Sequence, residues 1–422
     1  MKLGSINEVL YNHFKDGMGA SGYLRSCIPG LARDLKDFFY SRSDIQRIQK
    51  AEFIAEKMLR LTDFSEFVSI RSAVATIEIQ RRISYKKQSD HTAHTVYLFL
   101  LGVWVYDNLP SLKERINKFI NSSNPIHMFL FQWTYASLLH DVGYLFSQED
   151  GEQKVDKSSF EIFNKLFNFD HIRESAGELT DKSMSKLEDL WGNFIAKYGQ
   201  DISANGDSKS QIIDKLDYIP WLVDLDSDNK SGLTTLYDGS IHSKSLKEFA
   251  LELANIGYSG VTVIDHGIAS GLILLKYTSV WYWICSEAQK KDTDLYEELT
   301  RNFKYPIHVF HKHVVNACRA AAYHNLNESN FKFDLSNPLL YLSVLCDELQ
   351  VWDRFLSGHE HVDNWSTVKH CMSEDIQAER TNNTFEVPML HISCAEVFSK
   401  KIISTLDKRL LDWREFVQVS TN

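Results

Sequence analysis

The sequence predicts a mainly α-helical protein, because its strongest apolar patterns have the periodicity of buried helices. Residues 92–108 and 126–146 are apolar on most faces, as central helices are. Apolar residues make up 44% of the 422 residues and aromatic residues 12%, which is enough for a sizeable core. With only 7 prolines and 19 glycines, long disordered tracts are not expected.

The order of these patterns divides the chain into three predicted regions, of which the first is an N-terminal helical segment at residues 1–84. The second is a core at residues 85–358. Within it, residues 148–260 are richer in polar and turn residues, and we interpret them as an inserted helical and loop region. The remaining core helices are predicted at 266–289, 308–325 and 338–355.

The third region, residues 359–422, has a different pattern. Residues 384–393 alternate between apolar and polar side chains, which is typical of a strand. Residues 395–416 return to helical periodicity. We therefore expect a small C-terminal β-hairpin followed by a helix.

Charge and cysteine content limit the class of protein. The formal net charge of −10 argues against nucleic-acid binding, which relies on clustered Lys and Arg, although it does not exclude a local basic channel. The 6 cysteines are scattered without a CxxC pair, which favours reduced thiols in the cytoplasm. The N-terminal residues lack the apolar core of a signal peptide. The most apolar run, at 96–106, is too short to span a membrane.

A His–Asp doublet in the string SLLHDVGYLF is the strongest chemical signal. His140 and Asp141 lie near the end of a predicted apolar helix. Burying a carboxylate without a partner costs several kcal/mol, and a divalent metal ion is one natural partner. Imidazole and carboxylate together suit zinc, iron, manganese or a similar ion. The alternative is a doublet that is exposed at a helix end and has no role.

A second histidine motif, DHTAHTVYLFLL, lies upstream of the doublet. His94 shares a helical face with apolar residues at offsets of 4, 7 and 11, so it can point into the core. His91 lies one turn earlier and is the competing ligand. Each of them alone is also consistent with a hydrogen-bonded core histidine.

Three more residues of the same chemistry follow the doublet. His266 comes directly after Asp265, which we expect to be a helix N-cap, and His324 ends an alanine-rich stretch. Asp347 lies deep in an apolar helix, where an unpaired carboxylate is costly. Each has an ordinary structural explanation alone. A core gains nothing from several imidazoles and two carboxylates together unless something binds them.

This order of His, His–Asp and later Asp resembles the HD-domain superfamily of metal-dependent phosphohydrolases. LLHDVGY is similar to the signature doublet, HTVYLF to the first-ligand helix and LCDELQVWDR to the helix of the closing Asp. The last string is also similar to HD domains of bacterial conflict and signalling effectors. The resemblance covers about residues 85–147 and 260–357. One departure is Tyr144, which stands where many two-metal members carry a Lys.

The resemblance implies a ligand set and a mechanism. One ion would be held by His94, His140, Asp141 and Asp347, and His266 and His324 match positions of the two-metal subset. Two divalent ions are therefore expected, from among Mn, Fe, Zn, Ni, Co and Mg. A metal-activated hydroxide would attack phosphorus, with Asp141 bridging the ions.

A basic residue near the mouth of such a site would stabilise the charge that develops on the phosphoryl group. Lys276, Arg319 and Arg354 are the candidates, and an ordinary surface charge is the alternative for each. Arg354 follows Asp347 by seven residues, two turns along the same predicted helix.

The expected function is hydrolysis of a phosphoester or phosphodiester in a nucleotide, cyclic nucleotide or short oligonucleotide. Two alternatives use the same site. One is a metal-dependent nuclease on single strands, against which the net acidic charge argues. The other is an HD core that senses a nucleotide without hydrolysing it, which the absence of the Lys after the doublet favours. The expected partner is a phosphorylated small molecule or nucleotide in the cytoplasm, with no membrane, and the oligomeric state is left open.

Overall fold

The computed structural model confirms a mainly α-helical fold with one small sheet. It describes residues 4–41, 43–62, 64–85, 91–146, 157–203, 209–225, 265–301, 309–326, 332–352, 376–383 and 386–422. The chain forms two compact units. Unit 1 comprises Met1–Thr62, Arg71–Leu139 and Leu326–Asn422, and unit 2 comprises Asp63–Ile70 and His140–Asn325.

The helices follow one another with short connections wherever consecutive residues are described. In chain order they are α1 (Ile6–Asp16), α2 (Ala20–Cys27), α3 (Leu31–Phe39), α4 (Asp44–Leu61), α5 (Val68–Tyr85), α6 (His91–Asn108), α7 (Pro110–Ile120), α8 (Pro125–Leu138), α9 (Lys157–Lys165), α10 (Phe169–Ala176), α11 (Asp181–Ile202), α12 (Lys209–Asp217), α13 (Pro220–Leu225), α14 (His266–Lys291), α15 (Thr293–Arg301), α16 (Val315–Tyr323), α17 (Pro338–Leu349) and α18 (Glu396–Arg409).

A four-stranded sheet belongs to unit 1. Its strands are β1 (Gly4–Ser5), β2 (Gln377–Asn382), β3 (Pro388–Cys394) and β4 (Val417–Thr421), in the order β1-β2-β3-β4. β2 and β3 form the expected hairpin, and β1 adds to it antiparallel. β4 pairs parallel with β3, and α18 supplies the crossover connection that parallel strands need. The described part of the C-terminal region is therefore a sheet that also includes residues from the other end of the chain.

Helix α6 is the central helix of unit 1. Its residues from Thr92 to Tyr106 are buried, and it packs against α4 and α8. The indole Nε1 of Trp133 on α8 donates a hydrogen bond to the backbone carbonyl of Phe99, 3.0 Å away. The buried helix that the sequence predicts at 92–108 is confirmed.

Helix α14 plays the same part in unit 2. It packs against α11, α12, α13, α15 and α16. By length and composition alone it could cross a membrane, but its most apolar window is 100% buried inside the protein. It is therefore a core helix of unit 2.

Besides the helix expected over 338–355, which ends at Leu349, two predicted helices end earlier than the sequence indicates. The helix expected over 126–146 ends at Leu138, and the chain then turns through a 3-10 segment, Val142–Leu145. The helix expected over 395–416 ends at Arg409, because Phe333 exchanges backbone hydrogen bonds with Arg409 and Leu411. Apolar periodicity continues past both ends, so it could not locate them.

A buried carboxylate on α6 binds the first two backbone N–H groups of α2. Asp107 accepts hydrogen bonds from the backbone N–H groups of Ala20 at 2.8 Å and Ser21 at 2.9 Å. His13 Nε2 lies 3.1 Å from the same carboxylate. Burial raises the pKa of Asp107, but the hydrogen bonds from His13, Ser21 and Ala20 outweigh it, so the pKa of this carboxyl is lowered.

Asp107→Asn should lower the free energy of unfolding by about 2 kcal/mol at pH 7, because an amide offers one acceptor where two backbone N–H groups need two. The folded-state pKa lies below the unfolded value of about 3.9, so the contribution is complete above that pH and is lost as the pH falls through the folded pKa. Thermal melts of both proteins at pH 7 and near pH 3 measure this. A difference that does not shrink at low pH would contradict it.

Candidate metal centre

The His–Asp doublet lies at the end of a helix, at the start of a turn. α8 ends at Leu138, and both His140 and Asp141 are buried at the beginning of unit 2. Asp141 precedes the 3-10 segment Val142–Leu145, and its carbonyl accepts a hydrogen bond from Tyr144 N–H at 3.0 Å. The doublet is thus presented by a short turn and not, as the sequence predicts, by a helix that continues to residue 146.

This turn lies directly against the first turn of α14. Gly143 N–H donates to Ser270 Oγ at 2.7 Å, and Ser270 Oγ donates to the His266 carbonyl at 2.7 Å. A β-carbon on Gly143 would lie 2.0 Å from that carbonyl oxygen and 2.7 Å from Ser270 N. Only a residue without a side chain allows this approach, which brings Asp141 beside His266.

His266 opens α14, as the sequence predicts. Asp265 is the N-cap, since its Oδ1 accepts from Ile268 N–H at 2.9 Å. Its other oxygen accepts from Asn325 Nδ2 at 2.8 Å, which ties the start of α14 to the residue after His324. The His266 ring lies flat on Tyr144, with centroids 4.2 Å apart and planes 11° apart.

His324 follows α16 and is buried. Its Nδ1 lies 2.7 Å from the carbonyl oxygen of Ala321. A carbonyl can only accept, so Nδ1 carries a proton, and in the neutral ring Nε2 carries the lone pair that can bind a metal ion. The hydrogen bond therefore fixes both the tautomer and the direction of this side chain.

Three imidazole nitrogens surround one carboxylate oxygen in unit 2. His140 Nε2 and His266 Nε2 each lie 3.3 Å from Asp141 Oδ1, and His324 Nε2 lies 4.0 Å from it. One ligand atom from each of His140, Asp141 and His324 lies within 4.8 Å of the others. The structure thus brings together four of the six predicted ligands.

These separations suit a bound cation better than hydrogen bonds alone. Charge-assisted N–H···O bonds are about 2.7–2.9 Å long. Nitrogen and oxygen ligands lie about 2.0–2.2 Å from a transition metal, so two ligands of one ion are roughly 3.0–4.2 Å apart. Asp141 Oδ1 lies 3.3 to 4.0 Å from the three imidazole nitrogens, which is within this range. A buried group of His and Asp side chains that could hold a metal ion is therefore present.

The other two predicted ligands form a pair in unit 1. His94 on α6 is buried, and its Nε2 lies 2.8 Å from Oδ1 of Asp347 on α17. The pair joins two helices that pack on each other within this unit. His94 is therefore the histidine that meets Asp347, and His91, the competing ligand, lies one turn earlier at the start of α6.

Gln350 orients His94, and sequence reasoning missed it. Gln350 Nε2 donates to the carbonyl of Trp352 at 2.7 Å, so its Oε1 must be the atom that faces His94 Nδ1 at 2.5 Å. His94 Nδ1 therefore donates to this amide oxygen, and His94 Nε2 lies 2.8 Å from Asp347 Oδ1, the length of a charge-assisted hydrogen bond. The signal in the sequence was a buried amide three residues after Asp347.

A buried arginine connects helices α6 and α8 of unit 1. The Arg71 guanidinium donates to Thr95 Oγ1 and to the Leu138 carbonyl, both at 2.6 Å, and to the Thr92 carbonyl at 2.8 Å. It thereby connects the first turn of α6, which carries His94, to the last turn of α8, two residues before the doublet. An arginine in an otherwise apolar stretch was the available signal.

The surroundings of Lys276 do not support the catalytic role that the sequence suggested. It is fully buried, and its ammonium donates to the carbonyls of Asp201, Lys215 and Tyr218 at 2.6–2.9 Å. Burial lowers the pKa of Lys276 to about 7, while the three acceptors match the three N–H bonds of the charged form. It lies ten residues beyond His266, roughly 15 Å along the helix. Arg319 is half-buried on α16, and Arg354 lies outside the described residues.

Gly143→Ala should displace the doublet turn from α14, because its β-carbon would overlap the His266 carbonyl. We expect a lower melting temperature and at least about a tenfold loss of metal affinity. Gly192→Ala is the matched control, since a β-carbon there meets no atom within 4 Å. In its helix that change should stabilise by about 0.5–1 kcal/mol. Equal effects of the two substitutions on metal affinity, measured by calorimetry, would contradict the close-approach argument.

Lys276→Met should lower the free energy of unfolding by about 3 kcal/mol or more, because it leaves three buried carbonyls without donors. Metal content should be unchanged. Lys290→Met, on the exposed end of the same helix, should change stability by less than about 0.5 kcal/mol. Thermal melts and elemental analysis measure both quantities. Loss of metal in a folded Lys276→Met protein would return this residue to the site.

Comparison with known proteins adds no relative to this description. The chain matches no family model, no curated protein and no solved structure. The resemblance of the histidine and aspartate motifs to HD-domain proteins therefore stays a prediction from the sequence.

Proposed function

We propose that the chain is a metal-dependent phosphohydrolase or phosphodiesterase that acts on a nucleotide, cyclic nucleotide or short oligonucleotide. The observation that carries the proposal is the arrangement around Asp141, where three imidazole Nε2 atoms surround one buried carboxylate oxygen. The second support is the resemblance of the motifs to the HD-domain superfamily, in which residues of these types hold catalytic ions.

The donor set fits divalent transition metals. Imidazole nitrogen combined with a carboxylate suits Mn, Fe, Co, Ni or Zn, and Mg would prefer more oxygen ligands. Two ions are proposed, because His266 and His324 add to the ligands that a single ion would need. His94 and Asp347 are proposed as further ligands, as the resemblance implies. That they serve the same centre as the four residues of unit 2 stays a prediction.

Each residue of the centre has a definable task. Asp141 brings the negative charge that offsets the burial cost of a cation. In the neutral ring of His324, Nδ1–H donates to the Ala321 carbonyl, so the Nε2 lone pair is the one available to an ion. His266 is the most exposed of the three imidazoles at 16%, which places it on the accessible side of the group. A divalent ion bound here would supply Lewis-acid activation of water and neutralise phosphoryl charge.

Metal analysis of purified wild-type protein and of Asp141→Asn tests the proposal. Wild type should retain a divalent metal through dialysis and show manganese-dependent hydrolysis of a nitrophenyl phosphodiester. Asp141→Asn should keep its fold, lose at least about tenfold in metal affinity and lose hydrolysis. A screen over nucleotides and cyclic dinucleotides then identifies the substrate.

His391→Ala is the matched control for that experiment. His391 is also a partly buried histidine beside a carboxylate, since its Nδ1 lies 3.4 Å from Glu379 Oε1. It belongs to the sheet of unit 1 and should leave metal content and hydrolysis unchanged. The proposal fails if wild type holds no divalent metal and hydrolyses no phosphoester with added manganese. Tight nucleotide binding without turnover would point to the sensing alternative.

A further inference from the structure

Tyr144 occupies the position at which this chain departs from the two-metal HD pattern, and the structure gives its ring a specific contact. It lies in the turn after the doublet, three residues beyond Asp141, and its ring stacks on the His266 imidazole at 4.2 Å with an interplanar angle of 11°. Near-parallel contact over a whole ring face leaves the imidazole little freedom to tilt. No other ring contact of His266 among the described residues is parallel, since His324 lies 5.2 Å away at 60°.

His266 depends on this contact more than the other ligands do. His324 is oriented by the Ala321 carbonyl, and both His140 and His324 are nearly inaccessible to solvent. The His266 side chain is 16% exposed. It lies in the first turn of α14. A side chain in that position loses rotamer freedom when it binds an ion, unless another contact has already removed that freedom.

We propose that Tyr144 is a positioning residue that holds the His266 imidazole with Nε2 toward Asp141, and so sets the affinity of the ion that His266 binds. This inference rests on the proposed metal centre. The face of the Tyr144 ring, and not its hydroxyl group, restricts the His266 imidazole. The Gly143 contact fixes the backbone of the same turn, so the ring is held at a constant distance from α14.

The test is a calorimetric titration with Mn²⁺ or Co²⁺ of protein from which a chelator has removed bound metal. Because it measures binding, it does not depend on activity. Tyr144→Phe keeps the ring and should bind the two ions of the centre with wild-type affinity. Tyr144→Leu keeps a similar apolar bulk without the flat face. It should lower the affinity for the ion at His266 by about 10- to 100-fold and leave the affinity for the other ion unchanged. Circular dichroism and thermal melts confirm that each variant is folded.

A double-mutant cycle separates positioning from a general structural effect. If Tyr144 acts through His266, then Tyr144→Leu should have no further effect on metal affinity in the His266→Ala background. An unchanged affinity in Tyr144→Leu, an equal loss in Tyr144→Phe, or a further loss in the double variant would each overturn the inference. Should Tyr144→Leu fail to fold, Tyr144→Phe and Tyr144→His still test whether a flat ring suffices, and a loss in both would overturn it.

The outcomes also distinguish this inference from the proposed function. A wild-type protein that binds neither Mn²⁺ nor Co²⁺ would overturn both. If the wild type binds metal and Asp141→Asn does not, but substitutions at position 144 leave the metal affinity unchanged, only the role of Tyr144 is overturned.

Discussion

The centre depends on a single steric constraint, the absence of a side chain at Gly143. The turn that carries His140 and Asp141 can then lie in contact with the first backbone turn of α14, close enough for the Gly143 N–H to reach Ser270. That approach places Asp141 within 3.3 Å of His266. A displacement of about 1 Å would take these atoms out of the range that one cation spans.

Groups that bind no metal themselves orient the candidate ligands. The Ala321 carbonyl accepts a hydrogen bond from His324 Nδ1, and the Gln350 amide oxygen accepts one from His94 Nδ1. The Nε2 atom of each ring therefore faces a carboxylate. Arg71 fixes the helix end before the doublet and the helix start that carries His94. These hydrogen bonds orient the side chains before any ion binds, and this reduces the entropy cost of metal binding.

Apolar periodicity identified the helices well and their ends poorly. The buried helices at α6 and α14 were predicted almost to the residue, because a long apolar run bounded by polar residues has one interpretation. The end of α8 was missed, since Leu138 is followed by more apolar residues and its carbonyl is capped by Arg71, far away in sequence. β1 and β4 were missed because each pairs with residues distant in sequence, and two residues such as Gly4–Ser5 carry no periodicity.

The sequence by itself determined the chemistry of the candidate ligands and their order, since imidazole and carboxylate groups in apolar helices are costly unless they share a partner. It did not determine which of them meet. Only the tertiary structure brought His140, Asp141, His266 and His324 together. Only it showed that Lys276 donates to three backbone carbonyls. The reason is physical: a side chain's chemical character is local, whereas its distance to a residue far along the chain is set by the packing of whole helices.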